Sequence, residues 1–225
     1  MGGLFLVDQG MVDEANLTAP QRRPSYSKIQ YKLIQACLEA LMEEGLAGCS
    51  VRKICERAGC AVGLIHYHFG TFNELLAAAY LHLAYSLLDQ AIEKSQSSDI
   101  GGHNNGCNID SRQQLSLFIQ QTFSDAVLQR KILRAWVVFW SMIDSAPPIK
   151  AAHDASNQAF RVYLEQSFAQ LNLQQAVRPS PRLAAIGLTA IIDGLWLEWC
   201  LASDTFNADE AISLCEQWVD AACRL

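Results

Sequence analysis

The chain has 225 residues, 51% hydrophobic and 18% charged, with a net charge of −6. That is enough apolar material for one large core or for a small head on a larger body, and too much for a disordered polar chain. Its eight cysteines, Cys37, Cys49, Cys55, Cys60, Cys107, Cys200, Cys215 and Cys223, include no Cys-x-x-Cys pair and sit mostly in apolar helical patterns. Reduced, buried thiols in a cytoplasmic protein are expected, not a disulfide framework or a metal site.

Residues 1–24 read as a flexible arm. Asp8, Asp13 and Glu14 do not suit a secretory signal, and the arm ends in Gln21-Arg22-Arg23-Pro24, where two cations can reach a phosphate or the minor groove. A first helix is predicted from Ser25 to about Glu44, with Ile29, Leu33, Cys37 and Leu41 on one face and Gly45 as its stop. Ser50 can cap a second helix carrying Val51, Ile54 and Cys55, and Gly59 stands where that helix must turn through a positive φ. The pattern resumes on a new axis. Val62, Ile65 and Phe69 share a stripe, which leaves Ala61, Leu64, His66, Tyr67 and His68 to face elsewhere. Two short helices joined by a glycine turn form a DNA-reading device. His66 and His68 are two apart, so they point in different directions on a helix and cannot chelate a metal together.

A fourth helix is predicted from Thr71 to about Lys94, followed by a polar, glycine-rich loop over 95–110. Further helices follow over 111–127, 128–144, 147–171, 181–202 and 208–223, with no strand pattern. The expected fold is all-α with about nine helices: a reader domain over 25–72 and a ligand-binding and dimerisation domain over 73–225.

Residues 183–202 are almost wholly apolar and near the length of a membrane span, but Asp193 and Glu198 lie inside, at about 2.5–3.5 kcal/mol for a mid-span Asp. A helix buried in protein is the expected reading, with no membrane as partner. A body of this size covers such a helix only in part, and the next one has a single apolar stripe through Ala211, Ile212, Leu214, Cys215, Trp218 and Val219. Together they predict a four-helix dimer face, with Leu195, Trp199, Ile212 and Trp218 as anchors in a homodimer.

Charge supports the reader independently. Between residues 21 and 72, seven cations (Arg22, Arg23, Lys28, Lys32, Arg52, Lys53, Arg57) stand against Glu39, Glu43, Glu44 and Glu56, while the rest of the chain is acidic. A basic head on an acidic body is expected where only the head meets a phosphate backbone.

Ala58-Gly59, Gly63 and His66-Tyr67-His68-Phe69, followed by Asn73-Glu74-Leu75-Leu76, resemble the helix-turn-helix of TetR-family transcriptional regulators. The resemblance implies a double-stranded DNA operator, dimerisation through the last two helices and a small-molecule effector. Candidate DNA contacts are Arg22, Arg23, Lys28, Ser50, Arg52, Lys53, Ala61, Val62, Leu64, His66, Tyr67, His68 and Thr71. The chain departs from the family at Ala61, where a Ser or Thr cap is usual, and at Phe72, where a Lys is common. Both departures shift the expected DNA contacts toward Tyr67, His68, Thr71, Arg52 and Lys53.

Leu133-Arg134-Ala135-Trp136, Phe139-Trp140 and the run from Ile191 to Leu197 resemble the ligand domain of BetI-type repressors, the choline-responsive branch. The residues suit that ligand. Trp136, Trp140 and Asp144 fall four apart on one helix, and Asp193, Trp196 and Trp199 three apart on another, so two aromatic pairs each come with a carboxylate. A quaternary ammonium has no strong donors and is held by ring faces beside a negative charge. The candidate cage is Trp136, Phe139, Trp140, Tyr163, Asp193 and Trp196, with Phe160 beside it. Core packing of the same aromatics is the competing account, as are an uncharged apolar or aromatic ligand and a regulator switched by the Cys60 thiol. No Gly-x-Ser-x-Gly elbow, phosphate-cradling loop or His-Glu-x-x-His occurs, so no catalysis, cofactor or metal is expected. The mechanism implied is a repressor dimer whose reader helices enter successive major grooves about 34–36 Å apart until an effector changes that spacing.

Overall fold

The structure, a computed structural model, describes residues 23–97, 111–174 and 180–223. Among these the chain forms nine α-helices: α1 (Lys28–Glu44), α2 (Val51–Ala58), α3 (Gly63–Phe69), α4 (Phe72–Ser97), α5 (Ser111–Thr122), α6 (Arg130–Ser141), α7 (Pro147–Gln174), α8 (Pro181–Leu201) and α9 (Ala208–Cys223). Most of the arm, most of the 95–110 loop and Arg22 lie outside the described residues.

Helix α1 begins three residues later than expected because Ser27, not Ser25, sets its start. The Ser27 hydroxyl accepts from the Gln30 N–H at 3.3 Å, and the Gln30 side chain accepts from the Ser27 N–H at 3.0 Å, satisfying two end donors at once. Its inward face is Leu33, Ile34, Cys37, Leu38 and Leu41, and Ile29 is left outside. Gly45 at φ 68° ends it, as expected.

Helix α4 is 26 residues long and serves both parts of the molecule. It packs on α1 and α3 at its start and on α5 and α7 further along. Helix α5 stops at Thr122 instead of running to 127, because the Val127 and Leu128 N–H groups both close back on the Ser124 carbonyl. Helix α6 stops at Ser141, where a turn donates Ser145 and Ala146 N–H to the Met142 carbonyl ahead of Pro147-Pro148. Asp144, expected on the face of Trp136 and Trp140, is therefore off the helix and exposed.

By length and composition alone, α8 and the first 23 residues of α4 could each cross a bilayer. Helix α8 is only about one-third buried within the chain, so the expectation of a buried helix holds for one face only. Ala184, Ala185, Leu188, Ile192 and Trp196 are buried, while Leu183, Leu197 and Leu201 are exposed. Gly187 lets α9 close on α8: a β-carbon there would stand 2.3 Å from the Trp218 ring.

A candidate DNA-reading face and ligand cavity

The reader is built from end groups. Ser50 accepts from the Lys53 N–H at 3.4 Å and starts α2, and Gly59, at φ 61° and ψ 45°, ends it in the left-handed region that suits glycine. The Cys60 N–H then reaches back to the Cys55 carbonyl at 2.9 Å. Helix α3 starts only at Gly63, and no side chain caps it. Val62 therefore sits before the helix and is 53% exposed, not on the inward stripe expected for it. Ile65 anchors α3 in the core, with Leu64 and Phe69 packed beside it.

What remains outside is Ala61, Val62, Gly63, His66 and Tyr67, the last 80% exposed. His68 is half-buried and meets Tyr67 edge to face at 4.8 Å. His66 Nδ1 lies 2.6 Å from the Gly70 carbonyl, which only accepts, so Nδ1 carries the proton and Nε2 is left facing out. The Thr71 hydroxyl accepts from the Glu74 N–H at 3.2 Å and caps α4, keeping its own proton free to donate.

The cations are less free than the sequence implies. Arg23, expected to reach DNA, instead ion-pairs with Asp89 on α4 and lies over the Tyr85 ring at 5.5 Å. Lys53 binds Glu44 at 2.6 Å, a hydrogen bond that holds the Glu44 carboxyl below its ordinary range. Arg52 stands 3.7 Å from Glu56, and Arg57 meets Glu39, Glu43 and Glu44. Lys28 and Ser50 are exposed. These pairs are at the surface, where water screens them, so a phosphate can compete for the same cations.

The body holds a small, half-open cavity of about 80 Å³ between α4, α5, α6, α7 and α8. Trp136, Trp140, Tyr80, Phe160 and Trp196 wall it, with Asp193 and His153. Trp136 and Trp196 lie nearly parallel at 6.3 Å, Trp136 and Trp140 are tilted by 35° at 6.2 Å, and Tyr80 meets Trp136 edge-on at 5.0 Å. The Trp196 indole N–H donates to the Thr122 carbonyl at 3.0 Å. Burial pushes the Tyr80 phenol up to about 12, partly offset by side-chain hydrogen bonds with Ser156 and Trp140. Burial also pushes the Asp193 carboxyl up to about 6, against the pull of His153 and Arg161. No described donor hydrogen-bonds to Asp193.

Four of the six proposed cage residues, Trp136, Trp140, Asp193 and Trp196, thus line one cavity. Two do not. Phe139 is fully buried behind it, 5.1 Å from Tyr80, and Tyr163 packs on Phe118 at 5.0 Å. Trp199, paired with Asp193 by spacing, turns away to Phe206 at 5.3 Å. Tyr80 and His153 were missed, because α4 and α7 show only an apolar and a mixed pattern with no local sign of a site. The proposed dimer anchors Leu195, Trp199, Ile212 and Trp218 are all half-buried against the core, with Trp218 meeting Phe168 at 6.2 Å. The open stripe is instead Leu183, Ala190, Gly194, Leu197 and Leu201 on α8 with Leu214 and Ala221 on α9. Cys60 is half-buried next to Cys55, and Cys37 Sγ lies 3.8 Å from Cys49 Sγ. Cys107 and the Cys223 side chain lie outside the described residues.

Comparison with known proteins matches the two parts separately. The sequence profile of bacterial regulatory proteins of the tetR family matches residues 33–79, and that of the C-terminal part of BetI-type transcriptional repressors matches residues 111–224. An HTH-type transcriptional regulator BetI from Stenotrophomonas maltophilia is 30% identical over 189 residues, 84% of this chain and 90% of that one. The chain belongs to the TetR family, with a BetI-type C-terminal region. It is a transcriptional regulator and not an enzyme. Among solved structures, a transcriptional regulator from Pseudomonas aeruginosa PAO1 shares 34% identity and a TM-score of 0.72, covering 85% of this chain and 88% of that one. A regulator from Saccharomonospora viridis, solved in complex with choline, has the same TetR fold at a TM-score of 0.69 and 16% identity, covering 87% and 97%.

Proposed function

We propose that this TetR-family regulator is a homodimeric repressor that presents α3 to the major groove of a near-palindromic operator and releases it when a compact quaternary ammonium, choline or a close relative, fills the aromatic cavity. The carrying observation is Asp193. Its carboxylate borders a cavity walled by tryptophan and tyrosine rings with no donor among the described residues bonded to it, an arrangement that favours a ligand with positive charge. The five aromatic rings in the wall suit a charge spread over methyl groups, which needs no directed hydrogen bonds.

The dimer is assigned to the apolar stripe of α8 and α9, whose exposed leucines need cover that the described residues of one chain do not supply. The reader contacts are assigned to Tyr67, His66, Val62, Ala61 and Thr71 for the groove, with Lys28, Ser50, Arg52 and Lys53 for phosphates. Helix α4 couples the two ends, since it starts beside α3 and its Tyr80, Ala84, Leu88 and Ala91 border the cavity. A ligand that fits only one placement of α4 shifts the two states by its difference in affinity for them.

A thermal-shift comparison of choline with its uncharged carbon analogue tests the ligand. Choline should raise the melting temperature and the neutral isostere should not. The reverse result would assign the cavity to an uncharged apolar ligand, and the family assignment would stand.

A further inference from the structure

A second recess, of about 580 Å³, lies on the outer side of α7 and α8. Arg161, Glu165, Arg182 and Asp154 border it, together with His153 and Asn157, the two side chains that also border the aromatic cavity. The two spaces therefore meet at one pair of residues.

The charges in this groove are not balanced pair by pair. Asp154 is already taken by Lys150 at 2.6 Å, with His153 Nδ1 at 3.2 Å. The Lys150 hydrogen bond, then that of His153, holds its carboxyl below the ordinary range. Neither Arg161 nor Arg182 has an ion-pair partner among the described residues, and both are exposed. Among the described residues Glu165 is the one acid of the groove left to answer two guanidinium groups. Arg161 also acts inward, since its charge is felt at Asp193. His153 and Asn157, whose side chains approach each other at 3.5 Å, thus stand between the half-buried Asp193 carboxylate and two exposed arginines without an ion-pair partner among the described residues.

We propose that this groove is the anion subsite of the effector, which is a zwitterion: a quaternary ammonium seated in the cavity, bearing a carboxylate or phosphate on a short spacer that passes His153 and Asn157 to Arg161 and Arg182. This rests on the cation reading of the cavity. The cavity is sized for a compact head group, and a polar tail is better placed in the half-open groove than among indole rings. Guanidinium groups bind carboxylate and phosphate through paired N–H donors, and an exposed anion keeps much of its hydration.

Titration of intrinsic tryptophan fluorescence with choline, phosphocholine and carnitine, on the wild type and on the Arg161→Gln/Arg182→Gln double variant, tests this. Phosphocholine, carnitine or both should bind at least about fivefold tighter than choline, and which of them does so identifies the anion as phosphate or carboxylate. The double variant should lose that advantage and still bind choline within about twofold of wild type, which also shows that its cavity is folded. Arg161→Lys/Arg182→Lys should keep part of the gain. Choline binding with no zwitterion advantage, or an advantage that survives in the double variant, overturns the anion subsite and leaves the cation reading intact. Failure of all three ligands on the wild type overturns both.

Discussion

Trp196 of α8 donates its indole N–H to the carbonyl of Thr122 at the last residue of α5, at 3.0 Å. The bond holds the ring parallel to Trp136, so the cavity wall is oriented by a polar contact and not by packing alone. Thr122 itself is 5% exposed, which leaves its carbonyl without ready access to water.

Replacing Trp196 with Phe should therefore do two things. It leaves a buried carbonyl unpaired, at about 1–3 kcal/mol, and the melting temperature should fall by roughly 2–4 °C for each kcal/mol lost. It should also weaken choline binding more than the loss of ring area implies, because the remaining ring is no longer held. Calorimetry and fluorescence titration read the two effects separately. A variant as stable as wild type would show that the bond does not orient the ring.

Binding to duplex DNA carrying the operator should weaken steeply between 50 and 200 mM salt, since each phosphate contact adds nearly one to the salt slope. Tyr67→Ala removes the most exposed aromatic of α3 and should weaken binding further without changing the melting temperature, because an 80% exposed ring contributes little to folding. Fluorescence anisotropy at two salt concentrations measures both.

Leu197→Glu and Leu201→Glu should convert a dimer to monomers, since each places a charge within the apolar stripe. Size-exclusion chromatography with light scattering gives the mass. The same substitution at Trp218 should unfold the chain instead, because that ring packs on Phe168 and Gly187 inside one body. If both classes of variant stay dimeric and folded, the interface lies elsewhere.

Asp193 makes stability and binding oppose one another. Its folded pKa of about 6 exceeds the ordinary 3.8, so the unfolded chain ionises it first as pH rises. Below about pH 4 both states are protonated and the carboxyl is neutral to stability; between about 4 and 6 it becomes progressively destabilising, and above 6 the penalty is constant. Asp193→Asn should accordingly raise the melting temperature of the ligand-free protein at pH 7, by an amount that shrinks toward zero as pH falls to 4. With choline present the order should reverse. Binding to the wild type should also weaken as pH drops below 6, because protons compete with the cation. A pH-independent difference between the two proteins would place the carboxylate in water.

Gly187→Ala should destabilise despite the higher helix propensity of alanine. The propensity gain is at most about 1 kcal/mol, whereas a β-carbon 2.3 Å from the Trp218 ring must displace it, at about 1–3 kcal/mol for overpacking. Adding Trp218→Leu should recover much of the loss, and thermal melts of the single and double variants show the coupling.

The fold was legible because its signals are local: Ser50 as a cap, Gly59 at positive φ and the apolar period each act within a few residues. Half of the cavity was legible for the same reason, since Trp136 with Trp140, and Asp193 with Trp196, are set by spacing along single helices. The other half was not. Tyr80 and His153 come from helices distant in sequence, and no local pattern marks a residue as facing a cavity rather than the core. The errors have the same origin. Trp199 shares a helix with Asp193 but projects about a third of a turn away from it round the axis, beside Phe206, and Arg23 is captured by Asp89, 66 positions further along the chain.

Helix α4, at 26 residues and about 39 Å, spans the distance from the reader to the cavity as one continuous rod. A rod transmits displacement without regard to what produced it. The chemistry that recognises an effector and the geometry that reports it are therefore separable, and the cavity side chains of α5, α6, α7 and α8 can be redrawn for another molecule while the reader is left as it stands. The molecule is a natural chassis for a biosensor, in which new specificities are a matter of relining one small chamber.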